Sequence, residues 1–135
     1  MEKKPALDPV LVQDFVANAH GNAERVIELL EQEPMLIHAA WDWGGGDWET
    51  ALGAAAHMGR KDIAHYLLQK GARMDIFAAA MLGQVEIVRA ILKAFPDARY
   101  LRGPHGIPLL DHAKAGGQEA ALVMELLQTF QPLPE

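Results

Sequence analysis

Apolar residues recur along the chain at helical spacing. Val26, Ile27, Leu29 and Leu30 fall on one face of a 3.6-residue period, as do Ile63, Tyr66, Leu67 and Leu68. Ile87, Val88, Ile91 and Leu92 make a third stripe, and Leu122, Val123, Leu126 and Leu127 a fourth. Each stripe marks the buried side of an amphipathic helix. No segment alternates apolar and polar residues for long enough to predict a strand. The helix punctuation agrees. Asp8 before Pro9 reads as an N-cap with proline in the first turn, and Thr50 and Asp75 can each cap an Ala-rich helix. Gly21, Gly59, Gly83 and Gly116 each separate one helix from the next, and Gly71 ends the helix through Lys70, at points where a left-handed residue is cheapest as glycine. Together these signals predict eight helices, at about 9–19, 22–32, 51–58, 60–69, 76–82, 84–94, 108–115 and 118–130.

The helices come in similar pairs. The separating glycines lie at 21, 59, 83 and 116, at intervals of 38, 24 and 33 residues. After each comes a polar stretch and then two large apolar residues: Leu29-Leu30, Leu67-Leu68, Ile91-Leu92 and Leu126-Leu127. Small residues precede them, as in Ala54-Ala55-Ala56, Ala78-Ala79-Ala80 and Ala113. A pair of this kind buries its apolar face only by stacking on neighbouring pairs. On that basis, loss of Leu67 or Ile91 should cost about 2–5 kcal/mol.

The stretch from Thr50 to Asp75, TALGAAAHMGRKDIAHYLLQKGARMD, resembles nearly a whole ankyrin repeat, whose pattern is TPLHxAAxxGHxxIVxLLLxxGAxxN with a period of about 33 residues. Ile107-Pro108-Leu109-Leu110 resembles the same opening, and the similarity extends over roughly residues 10–130. The chain is also similar to bacterial ankyrin-repeat proteins that share the Trp41–Thr50 segment, WDWGGGDWET. The resemblance implies an all-α solenoid of about four stacked helix pairs, at about 9–32, 50–70, 75–94 and 108–130, in one domain spanning residues 1–135. It also implies hairpin fingers between pairs. The departures matter. The histidine of the family's opening is replaced by Gly53, Phe77 and Leu110. The 38-residue interval predicts an enlarged first finger, and the 24-residue interval predicts that the middle finger is missing.

Composition then narrows the function classes. The 135-residue chain has a formal net charge of −6 and no clustered basic face, which argues against nucleic acid as a partner. It contains no cysteine, which removes thiolate chemistry, and no serine, which removes a serine-triad hydrolase. No apolar run is long enough for a membrane span, and the start has no secretory pattern, so a cytoplasmic location is the expectation.

The resemblance places recognition on the finger tips and inner helices, which form a concave face. The residues expected there are Trp41, Trp43, Asp47, Trp48 and Glu49 of the first finger, His57, Met58, Met81, Leu82 and Asp111 of the inner helices, and His105 of the last finger. Ala19 and His20 end the inner helix of the first pair. Three tryptophans within eight residues either cover the inner helices or clamp a partner. Met81 and Leu82 are expected as an adaptable floor, opened by the missing finger. A protein or peptide is the first expectation for the partner, then a small molecule, then self-association into a homodimer. An acid–base pair of Asp111 with His57 or His105 is the enzymatic alternative, but the expectation is a binding module without catalysis. His57, His105, His112 and Asp111 would approach one another if the last pairs curl over the shortened third. No paired-ligand spacing supports a metal there, and no cofactor is assigned.

Overall fold

A computed structural model describes residues 3–130. Its α-helices are α1 (Pro9–Asn18), α2 (Ala23–Gln32), α3 (Ala51–His57), α4 (Lys61–Gln69), α5 (Ile76–Met81), α6 (Val85–Ala94), α7 (Leu109–Ala115) and α8 (Ala121–Thr129). The expected domain limits, 1 and 135, fall outside the described residues. The caps are where the sequence puts them. Asp8 accepts from the Val10 N–H, Thr50 from that of Gly53 and Asp75 from that of Ala78. The last helix starts later than expected, after a 3₁₀ turn over Gly117–Ala120.

The inner helices α1, α3, α5 and α7 stack in chain order, while α2 packs on α4 and α6 on α8. The core has two clusters. One, around Phe15, Leu29, Leu36 and Leu67, joins the first two pairs; the other, around Val88, Leu92, Leu109 and Val123, joins the last two. Of the two stripe residues singled out above, Leu67 is fully buried and Ile91 only partly. Truncation at Ile91 therefore removes less buried surface than its place in the stripe implies.

The stack curls tightly. Helix α3 touches α7 as well as α5, because the inner helices are short and alanine-rich. A Cβ on Gly59 would stand 2.5 Å from the Ala115 carbonyl oxygen, and one on Gly83 would stand 2.2 Å from that of Glu119. Both glycines are left-handed, at φ +66° and +74°. Gly21 and Gly116 are not, contrary to expectation; Gly116 at φ −74° is required instead by the Met81 carbonyl, 2.0 Å from where its Cβ would be.

The sequence shows no strand, yet the first finger is a hairpin of β1 (Ala40–Asp42) and β2 (Trp48–Thr50). Three-residue strands are too short to display a period of two. The register pairs Trp41 with Glu49 and Asp42 with Trp48. Opposed residues share a face, so Trp41 and Glu49 turn inward while Asp42 and Trp48 turn outward. Gly44, Gly45 and Gly46 all have positive φ and carry the turn, held by the Asp42 carboxylate, which accepts their flanking N–H groups at 2.8 and 3.0 Å. The middle finger is absent, since Gly71 leads directly to the Asp75 cap of α5.

His112 fills a core position on α7 with its side chain fully buried. Nδ1 donates to the Pro108 carbonyl at 2.9 Å, the ring packs on Phe77, and Nε2 has no partner. Burial pushes its pKa down, and the Pro108 bond only partly offsets this.

Two expectations follow from this packing. Gly45 has φ +64° but open space around it, so Gly45→Ala should cost about 1–2 kcal/mol from backbone strain alone. Gly83→Ala adds a backbone collision and should cost clearly more; equal losses in equilibrium denaturation would contradict the close stacking. His112 has a lowered folded pKa, so the unfolded chain binds its proton first as the pH falls. Stability should therefore drop below the ordinary histidine value of about 6.5. Thermal melts at about pH 7.5 and about pH 5.5 should show a smaller drop for His112→Leu than for the parent. Identical drops would show that His112 is not the source.

Candidate functional site

Glu49 follows Trp48 on β2, and the inward side of the hairpin carries it under the finger, where only 1% of the residue is exposed. A buried carboxylate needs donors on every side. Trp43 Nε1–H donates to Oε1 at 2.9 Å, from the same finger. His57, the last residue of α3, places Nε2 2.9 Å from Oε2. His20, just past α1, places Nε2 3.1 Å from Oε1. His105, in the last finger, places Nε2 3.3 Å from Oε2. The three imidazoles form a ring around the carboxylate, with His57 set edge-on to His20 at 5.0 Å and to His105 at 5.3 Å.

His105 is held by a second carboxylate. Its backbone N–H donates to Asp47 Oδ1 and its Nδ1 lies against Oδ2, both at 2.7 Å. It is the one non-glycine residue with positive φ, +63°, among the described residues. Asp47 and His105 are 58 residues apart in the chain, and their contact joins the tips of the first and last fingers. With the middle finger missing, nothing stands between them.

The charges of the site support one another. Burial pushes the Glu49 carboxyl up, but the His57 bond, the His20 ring, the Trp43 N–H and His105 together hold it below the usual carboxylate range. The His105 N–H holds Asp47 low, against a smaller opposing effect of burial. Burial pushes His105 down, and its bond to Asp47 and the charge on Glu49 more than reverse this, leaving it above the ordinary histidine value.

Beside this cluster lies an open cleft of about 400 Å³, in the space a middle finger would fill. Asp47 and Trp48 line one side, Arg102 and Pro104 the other, with Asp75 and Phe77 between them. Trp48 is 62% exposed at its edge. Burial raises the pKa of Asp75, even though it accepts from the Ala78 and Phe77 N–H groups.

The structure thus brings together Trp43, Asp47, Glu49, His57 and His105 of the expected residues and adds His20. Trp48 borders the cleft, and Met58 is exposed after α3. Trp41 is half-buried against the first core cluster. Met81 and Leu82 lie in the core, at 0% and 9% exposure, because α7 and the Gly117–Ala120 turn close over α5. As the structure stands they form no floor for a partner. Asp111 is exposed, with Lys114 as its ion-pair neighbour, and His112 is held apart by Phe77 and Pro108; neither joins His57 and His105. The sequence does contain a sign of His20, which directly precedes a separating glycine at the end of an inner helix. Nothing in the linear order links it to Glu49.

Among the described residues no helix is long and apolar enough to cross a membrane. No curated protein and no solved structure matches the chain. Residues 47–78, from the contact point of the first finger through α3 and α4 into α5, match the family described as Ankyrin repeat. Repeats of this family are protein-interaction modules in general. That match lies within a stack of similar helix pairs, so residues 47–78 form an ankyrin repeat set in a helical-repeat fold.

Proposed function

We propose that this chain is an interaction module that captures a peptide segment of a partner protein at the cleft between its two fingers and on the adjoining concave face. The observation that carries this reading is the cleft itself. Regular fingers would make a continuous strip, whereas here a missing finger leaves a recess walled by an exposed tryptophan and an arginine. Trp48 offers a large rigid surface of the kind that dominates binding energy, and Phe77 and Pro104 add apolar lining to the recess. Arg102 and Asp75 supply polar contacts of opposite sign. An apolar or aromatic side chain of an extended peptide suits this lining. Met58 and Trp43, 51% and 37% exposed, extend the surface along the inner face.

The cleft volume also falls in the range of small-molecule sites, which makes a small ligand the second reading. The test is selection from a random displayed-peptide library, followed by affinity measurement on purified variants. Selected peptides should bind the parent and lose at least tenfold in Trp48→Ala and Arg102→Ala, about 1.4 kcal/mol or more. The outer-helix variants His65→Ala and Arg89→Ala should bind as the parent does. No enrichment, or equal losses on both faces, would contradict a peptide site at the cleft.

A further inference from the structure

The site described above holds more imidazole than a buried carboxylate needs. We propose that His20, His57, His105 and Glu49 form a binding site for one divalent transition-metal ion of the zinc type. The proposal stands apart from the peptide reading, which rests on the neighbouring cleft.

The first argument is separation. One ligand atom from each of the four residues lies within 4.8 Å of every other. Around a tetrahedral ion with bonds of 2.0–2.2 Å, ligand atoms stand about 3.3–3.6 Å apart. The widest pair of the cage therefore has to close by roughly 1 Å, a movement within reach of side-chain rotation. The ligands come from the end of α1, the end of α3 and the two fingers, so no single segment has to bend to bring them together.

The second argument is the direction of the hydrogen bonds. His20 Nδ1 lies 3.1 Å from the Val16 carbonyl oxygen and 3.0 Å from that of Ala17. A carbonyl only accepts, so this nitrogen carries the hydrogen. His105 Nδ1 faces the Asp47 carboxylate at 2.7 Å and carries its hydrogen for the same reason. In the neutral rings Nε2 is then a bare lone pair, and both lone pairs point at oxygens of Glu49, 3.1 and 3.3 Å away. Lone pair against carboxylate is repulsive unless a proton on Nε2 or a metal ion lies between them. Protein metal sites share this arrangement: a ligating histidine donates its other N–H to a carbonyl or carboxylate, which fixes the tautomer and aims the free nitrogen at the ion. Asp47 and the end of α1 occupy those outer positions here.

The third argument is donor chemistry and charge. Three imidazole nitrogens and one carboxylate oxygen suit zinc and its first-row neighbours, whereas calcium and magnesium take oxygen ligands. The charges of Glu49 and Asp47 together balance a divalent ion held by neutral histidines. The side chains of His20 and His105 are 26% and 33% exposed while that of Glu49 is 0%, so the site opens to solvent on the histidine side. An ion can enter there.

The competing account places only protons between the rings and the carboxylate. It is separated from the proposal by titrating the untagged, EDTA-treated chain with zinc chloride by calorimetry, with cobalt(II) absorption as a coordination probe. The proposal expects one ion per chain, a visible cobalt spectrum of a nitrogen-ligated centre, and no competition from excess calcium or magnesium. Asp47→Asn should weaken zinc binding about 10–100-fold through loss of the outer contact to His105. His105→Asn and Glu49→Gln should weaken it further, while His65→Ala should bind as the parent does.

If any ligand variant fails to fold, the parent alone still decides. Ring-nitrogen NMR of the chain, which has six histidines, should show zinc shifting Nε2 of His20, His57 and His105 and leaving His38, His65 and His112 unchanged. Absence of stoichiometric binding by the folded parent, equal binding by the ligand variants, or zinc-induced shifts at other histidines would overturn the proposal.

Discussion

A carboxylate removed from water must find donors within the protein or give up its charge, and Glu49 finds them in four separate parts of the chain. Its oxygens are satisfied by the end of α1, the end of α3, the indole of its own finger and the tip of the last finger. Each partner is therefore fixed relative to the others. The cost of burying an ion falls steeply when several hydrogen bonds surround it, and it rises again if any one is withdrawn. Satisfying Glu49 goes with the inward turn of the first finger and the closure of the two fingers over the gap between them, while Asp47 holds the backbone of His105.

That closure depends on what the chain lacks. A middle finger would stand between Asp47 and His105. Its absence, together with short inner helices of alanine, lets α3 reach α7 and lets the last pair lean over the second. Close stacking then makes Gly59, Gly83 and Gly116 obligatory, because neighbouring carbonyls occupy the space of a side chain. The same missing finger leaves the cleft beside Trp48. The buried cluster and the recess are thus two consequences of one deletion in the repeat pattern.

Much of the fold was legible in the sequence. Helical periodicity and the caps at Asp8, Thr50 and Asp75 report local energetics, and the spacing of the glycines exposed both the long and the missing finger. The hairpin strands were invisible because three residues show no period. The site was legible only by residue type. Glu49 reads as an exposed finger residue until the strand register turns it inward, and Met81 reads as a binding-face residue until α7 closes over it. The grouping of His20 with His57 and His105 is set by how tightly the stack curls, a property of packing across pairs with no local signature. Asp111 and His112 share a helix with no ligand of the cluster, and the curl does not bring them to it.

The central claim is that Glu49 couples the first finger to the last. A double-mutant cycle tests it most directly, by equilibrium denaturation in the presence of EDTA of the parent, Glu49→Gln, His105→Asn and the double variant. Asparagine tolerates the left-handed backbone at position 105, so the cycle reports the contact and not the turn. The account predicts that the two substitutions fail to add by more than about 0.5 kcal/mol, since each removes the partner of the other. Additive losses would contradict it, showing that the fingers approach without depending on the buried carboxylate.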